Sequence, residues 1–169
     1  MDKVVVLNNT VLSAFSSILR MDIVKTVFDE HHTSKDVFDE VIRGIKRGYD
    51  FLHQVREAFY PINQDGWLII DGLKDLEDYR LYVELLRKID PGESSCIVIA
   101  YREDWIFVSD DKEARNVAEA LGVKISGTLG ILKVAIDKKM VSVEEGDFLL
   151  NLMIKRGYRA PIRRMSDLY

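Results

Sequence analysis

Short, wholly apolar runs alternate along this chain with longer stretches in which apolar residues recur at helical spacing. Val4-Val5-Val6-Leu7 is a continuous aliphatic run, as expected for a strand covered on both faces. Similar runs at 67–70 (Trp67-Leu68-Ile69-Ile70), 105–108 and 123–125 predict three more strands. Between them the period lengthens. Val37, Phe38, Val41 and Ile45 fall at i, i+1, i+4 and i+8, one face of a helix over 35–48 with Ser34 as its N-cap. A helix beginning near Val11, capped by Thr10 or Asn9, follows the first strand, and 22–28 reads as a second short helix. Further helices are predicted over 51–59, 75–89, 93–103, 112–121, 128–139 and 143–156. Gly122 stops the helix at 112–121, and Pro61 stops the one at 51–59.

Strands alternate with helices, and no two strands are joined by a hairpin turn. That pattern predicts an α/β fold: three layers, α/β/α, around a central parallel sheet of four to five strands. Residues 1–169 read as a single domain with a helical insert around 43–64, where Phe51, Leu52, Phe59 and Tyr60 offer an apolar partner or dimer surface.

Composition narrows the function classes. A net charge of −4 gives no global basic field, so any nucleic acid must be held by a local patch. The single cysteine, Cys96, cannot form an intrachain disulfide, and no Cys/His cluster at zinc-ligand spacing accompanies it. It reads as a small buried hydrophobe and fits a reducing, cytoplasmic setting. No stretch approaches 18 apolar residues, so no membrane span is expected. The adjacent His31 and His32 would diverge in an extended segment and lack a third ligand at metal spacing.

The acids carry the candidate chemistry. Glu93 follows Pro91-Gly92 at a helix start, Ser109-Asp110-Asp111 ends a strand, and Gly127-Thr128-Leu129-Gly130 opens another helix. Each junction lies on the carboxyl rim of a parallel sheet, where such folds bind ligands. Glu40 sits next to Asp39 in the helix at 35–48. Together Glu40, Glu93, Asp110 and Asp111 are a candidate oxygen-ligand set for Mg²⁺ or Mn²⁺. Each also has a structural explanation. Glu93 can offset a helix dipole, Asp110 or Asp111 can cap a helix, and Glu40 can be a solvated charge. Lys112 and Arg115, one turn past the aspartates, are placed to meet a substrate phosphate. Lys155, Arg156, Arg159, Arg163 and Arg164, with Tyr158 among them, form a second basic group.

The order of these motifs resembles the PIN-domain family, in particular its archaeal and bacterial branch of VapC-like toxins. The segments Val4–Leu12, Val37-Phe38-Asp39-Glu40-Val41 and 90–140 carry the likeness. The resemblance implies a metal-dependent ribonuclease using Mg²⁺ or Mn²⁺. It places Asn8 at the first acid position, Glu40 at the second, Glu93 at the third and Asp111 at the fourth, with Asp110 an alternative or additional member there. Thr10 would hold the metal shell or its water, with Ser109 and Thr128 in supporting places. It also implies an RNA substrate, a small antitoxin-like protein partner and a homodimer.

Asn8 departs from that pattern, which expects aspartate. An amide still offers an oxygen, but one negative charge is missing. Two unit charges about 4 Å apart interact by roughly 4 kcal/mol at an effective dielectric of 20. The chain is therefore expected to be either a weakened nuclease or a catalytically inactive interaction module on the same fold. A phosphate-signalling receiver domain fits less well, because it wants an acidic pair where this chain has Asn8-Asn9.

Overall fold

The structure is a computed structural model and describes residues 3–169. Met1 and Asp2, the first residues of the expected domain, lie outside the described residues. Six strands form one sheet: β1 (Val4–Leu7), β2 (Glu30–Ser34), β3 (Phe59–Tyr60), β4 (Leu68–Asp71), β5 (Ile106–Val108) and β6 (Ile125–Ser126). Their spatial order is β3-β4-β2-β1-β5-β6, and every pairing is parallel. The expected α/β architecture is present, with six strands rather than four to five.

Nine helices join them among the described residues: α1 (Asn9–Ser17), α2 (Met21–Val27), α3 (Lys35–Lys46), α4 (His53–Ala58), α5 (Leu76–Leu85), α6 (Pro91–Glu103), α7 (Lys112–Ala120), α8 (Thr128–Asp137) and α9 (Val143–Lys155). Helix α6 lies across β1, β2 and β5, with α5 packed against it, while α1, α2, α8 and α9 form a second contiguous group. Val5, Val6 and Leu7 are fully buried, as a strand covered on both faces requires. No helix among the described residues is long and apolar enough to cross a membrane.

Two strands were not expected. β2 reads Glu-His-His-Thr-Ser, with no apolar residue, yet it is an inner strand and all but Glu30 are buried. It is tolerated because its polar groups find partners. His31 Nε2 donates to Val24 O at 2.8 Å and Thr33 Oγ1 to Leu7 O at 2.7 Å. Ser34 Oγ accepts from Val37 N at 3.2 Å, the expected cap, and from Ser95 Oγ at 2.7 Å. His32 lies between Glu30 and Asp71, its ring stacked 4.3 Å from that of Trp105. β3 takes Phe59 out of the helix expected over 51–59. A 3-10 turn (Asp50–Leu52) and α4 cover only the earlier part of that span.

Leu52 and Phe59 are 3% and 0% exposed, so they cannot form the expected partner surface; they belong to the core. β6 begins two residues later than the pattern at 123–125 suggested. Val123 N bonds back to Ala118 O, and Gly122 adopts φ +78°, so residues 121–123 still terminate α7.

From β1 the chain moves to β2 on one side, and β5 later returns to the other. The switch of direction opens a crevice at the carboxyl ends of β1 and β5. Asn8 and Ser109 are the first residues past those two ends.

Candidate functional site

Asn8 caps α1: its Oδ1 accepts from Asn9 N at 2.8 Å, so neither Asn9 nor Thr10 is the cap. Its Nδ2 donates to Ser109 Oγ at 3.1 Å, and the side chain is 2% exposed. Ser109 Oγ also accepts from Asp111 N at 3.1 Å and lies 3.5 Å from Thr10 Oγ1. Thr10 Oγ1 in turn accepts from Asp110 N at 3.1 Å. This small network of neutral groups fastens the β1–α1 junction to the β5–α7 junction. It holds the crevice floor rigid without spending a carboxylate.

The acids divide into two kinds. Asp110 is committed to the fold. Its Oδ1 accepts from Thr128 N at 2.8 Å and from Tyr158 OH at 3.4 Å, and its Oδ2 accepts from Thr128 Oγ1 at 2.6 Å. It supplies the start of α8 with the acceptor that Gly127 has no side chain to provide. A Cβ at 127 would stand 2.8 Å from both Asp110 Oδ1 and Arg115 Nη1, so any larger residue would push these two hydrogen-bonded groups aside. The Gly-Thr pair thus serves this junction, and Thr128 is fully buried in it.

Glu40, Glu93 and Asp111 are the other kind. Asp111 caps α7 through Oδ1, which accepts from Ala114 N at 2.8 Å, and Oδ2 makes no hydrogen bond among the described residues. Glu93 Oε2 accepts from Asp90 N at 3.2 Å at the start of α6. Glu40, from α3, lies against the backbone of Gly92; a Cβ on that glycine would be 2.1 Å from Glu40 Oε1. Gly92 therefore lets the acid of one helix reach the amino end of another.

These carboxyls repel one another. Burial, together with the charges of Asp111, Asp90 and Glu40, pushes the Glu93 carboxyl from 4.5 up to about 7. Burial also raises Glu40; Arg43 opposes the rise, and Asp90 and Asp36 add to it. Asp90, which sequence reasoning missed as a member of this group, is the shared neighbour. Its place before Pro-Gly-Glu at a helix start was the available signal.

A cleft of about 360 Å³ opens here, with Asn8, Thr10, Glu40, Asp90 and Glu93 on its walls. A second cleft of about 370 Å³ shares Thr10 and Ser13 with it and reaches Asp110, Asp111, Phe51 and Tyr158. Among the described residues no three acid, histidine or cysteine side chains stand close enough to clasp one ion. The rim thus sets Glu40 and Glu93 in one cleft and Asp111 in the adjoining one, near enough to Glu93 to raise its carboxyl, without closing a cage. Asp110 turns away from it toward Thr128. The donor chemistry nevertheless suits a hard divalent cation: the carboxylates of Glu40, Asp90 and Glu93 line the cleft, and a cation would relieve the repulsion that raises Glu93.

The basic residues fall differently from expectation. Arg115 Nη1 donates to Ser109 O at 2.9 Å and Ser126 O at 3.0 Å, tying β5 to β6 instead of standing free for a phosphate. Lys112 is exposed on the first turn of α7, without an ion pair among the described residues. Arg43 on α3 and Arg47 just past its end, which the sequence did not single out, line a cleft together with Glu40. They border a cleft of about 360 Å³ with Tyr49 and Phe51. On the opposite flank Arg156 and Arg159 border the cleft that holds Asp111. His31 and His32 are spent inside the sheet, and Cys96 is fully buried, its thiol pushed up to about 12 by burial.

The family model described as PIN domain (DUF3368) matches residues 4–168, and the chain belongs to that family. A search of curated proteins finds no match.

Proposed function

We propose that this PIN-domain chain is a metal-dependent endoribonuclease that hydrolyses phosphodiesters of single-stranded RNA at the crevice between β1 and β5. One observation carries the reading: Glu93, beside Asp111, Asp90 and Glu40, has its carboxyl raised to about 7 in a cleft flanked by arginines. A group of acids that disfavours its own ionisation is poised to take a cation. Glu40, Glu93 and Asp111 would hold Mg²⁺ or Mn²⁺, each through an oxygen not used in capping. The ion would polarise the scissile phosphate and acidify a bound water.

The chain's own residues do the rest. Asn8 and Ser109 keep the two strand ends in register. Thr10 presents a hydroxyl at the shared wall of both clefts. Arg43 and Arg47 on one side, and Arg156 and Arg159 on the other, would bind phosphates before and after the cut. Tyr49, 55% exposed and 6.0 Å from the Phe51 ring, offers a face for an unpaired base. Lys112 remains available as a further phosphate contact. As the toxin of a toxin–antitoxin pair, the enzyme would be silenced by a small protein that offers cationic groups to this acidic cleft.

Two observations favour a second reading, a catalytically inactive module: the neutral Asn8 and the absence of a closed ligand cage among the described residues. Purified protein incubated with Mn²⁺ and single-stranded RNA separates the two. The nuclease should cleave, lose activity on EDTA treatment, and lose it on Asp111→Asn, a change that keeps the α7 cap. Arg43→Ala with Arg47→Ala should weaken RNA binding and flatten its salt dependence. Absence of both Mn²⁺ binding and cleavage would leave the interaction module standing.

A further inference from the structure

Helix α3 ends in a reversal that two glycines make possible. Gly48 takes φ +97°, and Tyr49 N bonds back to Gly44 O at 3.1 Å. The chain therefore returns, and the 3-10 turn at Asp50–Leu52 packs against both α3 and α1. Gly44 makes room for that return, since a Cβ there would collide with Leu52 Cδ1. Between the returning segment and the two helices lies the cleft of about 360 Å³ that holds Arg43, Arg47, Tyr49 and Phe51. Asn9, Ser13 and Glu40 line this cleft and the acidic one alike, so the two spaces share a wall. Polar groups on that wall are oriented. Ser13 Oγ donates to Asn9 Oδ1 at 3.2 Å, one helical turn apart on α1. The bond spends the hydroxyl's hydrogen and fixes the amide. What remains for a ligand is a donor, Asn9 Nδ2, beside an acceptor, Ser13 Oγ, and Nδ2 has no hydrogen bond among the described residues.

We infer that this cleft is a base-reading subsite, in which Asn9 and Ser13 select a keto base, uracil or guanine, on the nucleotide flanking the cut. The inference rests on the reading of the crevice as an RNA site and adds a sequence preference to it. Uracil presents O4 beside N3–H, and guanine presents O6 beside N1–H: an acceptor next to a donor. Asn9 Nδ2 and Ser13 Oγ are the complement of that pair. Cytosine and adenine carry the inverse pattern, an amino group beside a ring-nitrogen acceptor, and would set donor against donor at Asn9. An unmatched polar pair is the strongest ground on which a site rejects a ligand of the same shape. The ring faces of Tyr49, 55% exposed, and half-buried Phe51, 6.0 Å apart, supply stacking that any base can use. Arg43 and Arg47, at the mouth of the same cleft, hold the phosphates of that nucleotide. Stacking and charge thus give affinity, and the Asn9–Ser13 pair gives choice.

Fluorescence anisotropy with labelled oligouridine and oligocytidine tests the subsite, since the two pyrimidines differ at this edge and in little else. EDTA and a fixed ionic strength let binding be read without cleavage. Oligouridine is expected to bind about tenfold tighter than oligocytidine. Asn9→Ala should bring the two affinities together. Asn9→Asp, whose carboxylate only accepts, should reverse their order. Neither change touches the α1 cap, which is Asn8, and circular dichroism checks the fold. Tyr49→Ala should weaken both oligomers by about tenfold and leave their ratio alone. Equal affinities in the unsubstituted protein, an order that Asn9→Asp leaves in place, or no binding of either oligomer would overturn the inference. Equal affinities with Mn²⁺-dependent cleavage intact would overturn it while the nuclease reading stands. A uridine preference governed by Asn9, with no cleavage in Mn²⁺, would uphold the subsite and end the nuclease reading.

Discussion

Glu93→Gln should stabilise the metal-free protein, and only at neutral and alkaline pH. The folded carboxyl titrates near 7 against an ordinary 4.5, so the folded state binds its proton more tightly than the unfolded chain. Below about pH 4.5 the group is protonated in both states and costs nothing. As pH rises through 7 the folded protein must ionise it beside Asp111, Asp90 and Glu40, and stability falls. At about 1.4 kcal/mol per pH unit the displacement corresponds to about 3 kcal/mol undamped. Glu93 is only half buried, and solvent screening reduces that to about 1–2 kcal/mol. Glutamine keeps the oxygen that accepts from Asp90 N, so the helix start is preserved. For a chain of this size the gain corresponds to a rise in melting temperature of roughly 3–6 °C at pH 8, and none at pH 4.5. Thermal denaturation followed by circular dichroism in EDTA measures it. Added Mn²⁺ should then raise the melting temperature of the unsubstituted protein at pH 8 and leave Glu93→Gln nearly unmoved. Equal or lower stability of Glu93→Gln at pH 8 would show that Glu93 is not held in a repulsive acidic group, and the functional proposal would lose its main support.

Asn8→Asp should tighten Mn²⁺ binding by about tenfold or more, a change of about 1.4 kcal/mol, since it adds a negative charge to the wall of the acidic cleft; calorimetric titration returning the same affinity would remove Asn8 from the metal's surroundings. Asp78→Ala should destabilise the fold by about 3 kcal/mol, because it strips a buried partner from Arg102, whose Nη2 is already without one. Asp78 also accepts from Lys74 N at 2.8 Å, and a urea midpoint unchanged by the substitution would contradict this assignment.

Local sequence carried much of this molecule because several of its decisions are local. A strand buried on both faces must be apolar throughout, so β1 and β5 stand out as short runs. A helix start needs an acceptor and a helix stop needs a left-handed residue, so Ser34 and Gly122 mark their places. Strand ends and helix starts lie on one rim in any parallel α/β sheet, which is why Glu93 and Asp111 were legible as candidates. Hydrophobic pattern could not reveal β2. Its polar side chains are satisfied by Val24, seven residues back, and by Leu7, Asp71 and Ser95, which are remote in sequence, and periodicity carries no record of such partners.

The same limit governs the acids. Asp110 and Asp111 are neighbours of identical chemistry, and the sequence alone determined only that an acidic pair ends β5. The tertiary structure decided that Asp110 serves Thr128 at the start of α8, while Asp111 stands close enough to Glu93 on α6 to raise its carboxyl. It also decided that Glu40 reaches the crevice, through the space left by Gly92, and that Arg115 is tethered to two strand carbonyls. A residue's needs are written in its side chain, and its partners depend on contacts that close only when the whole sheet has formed.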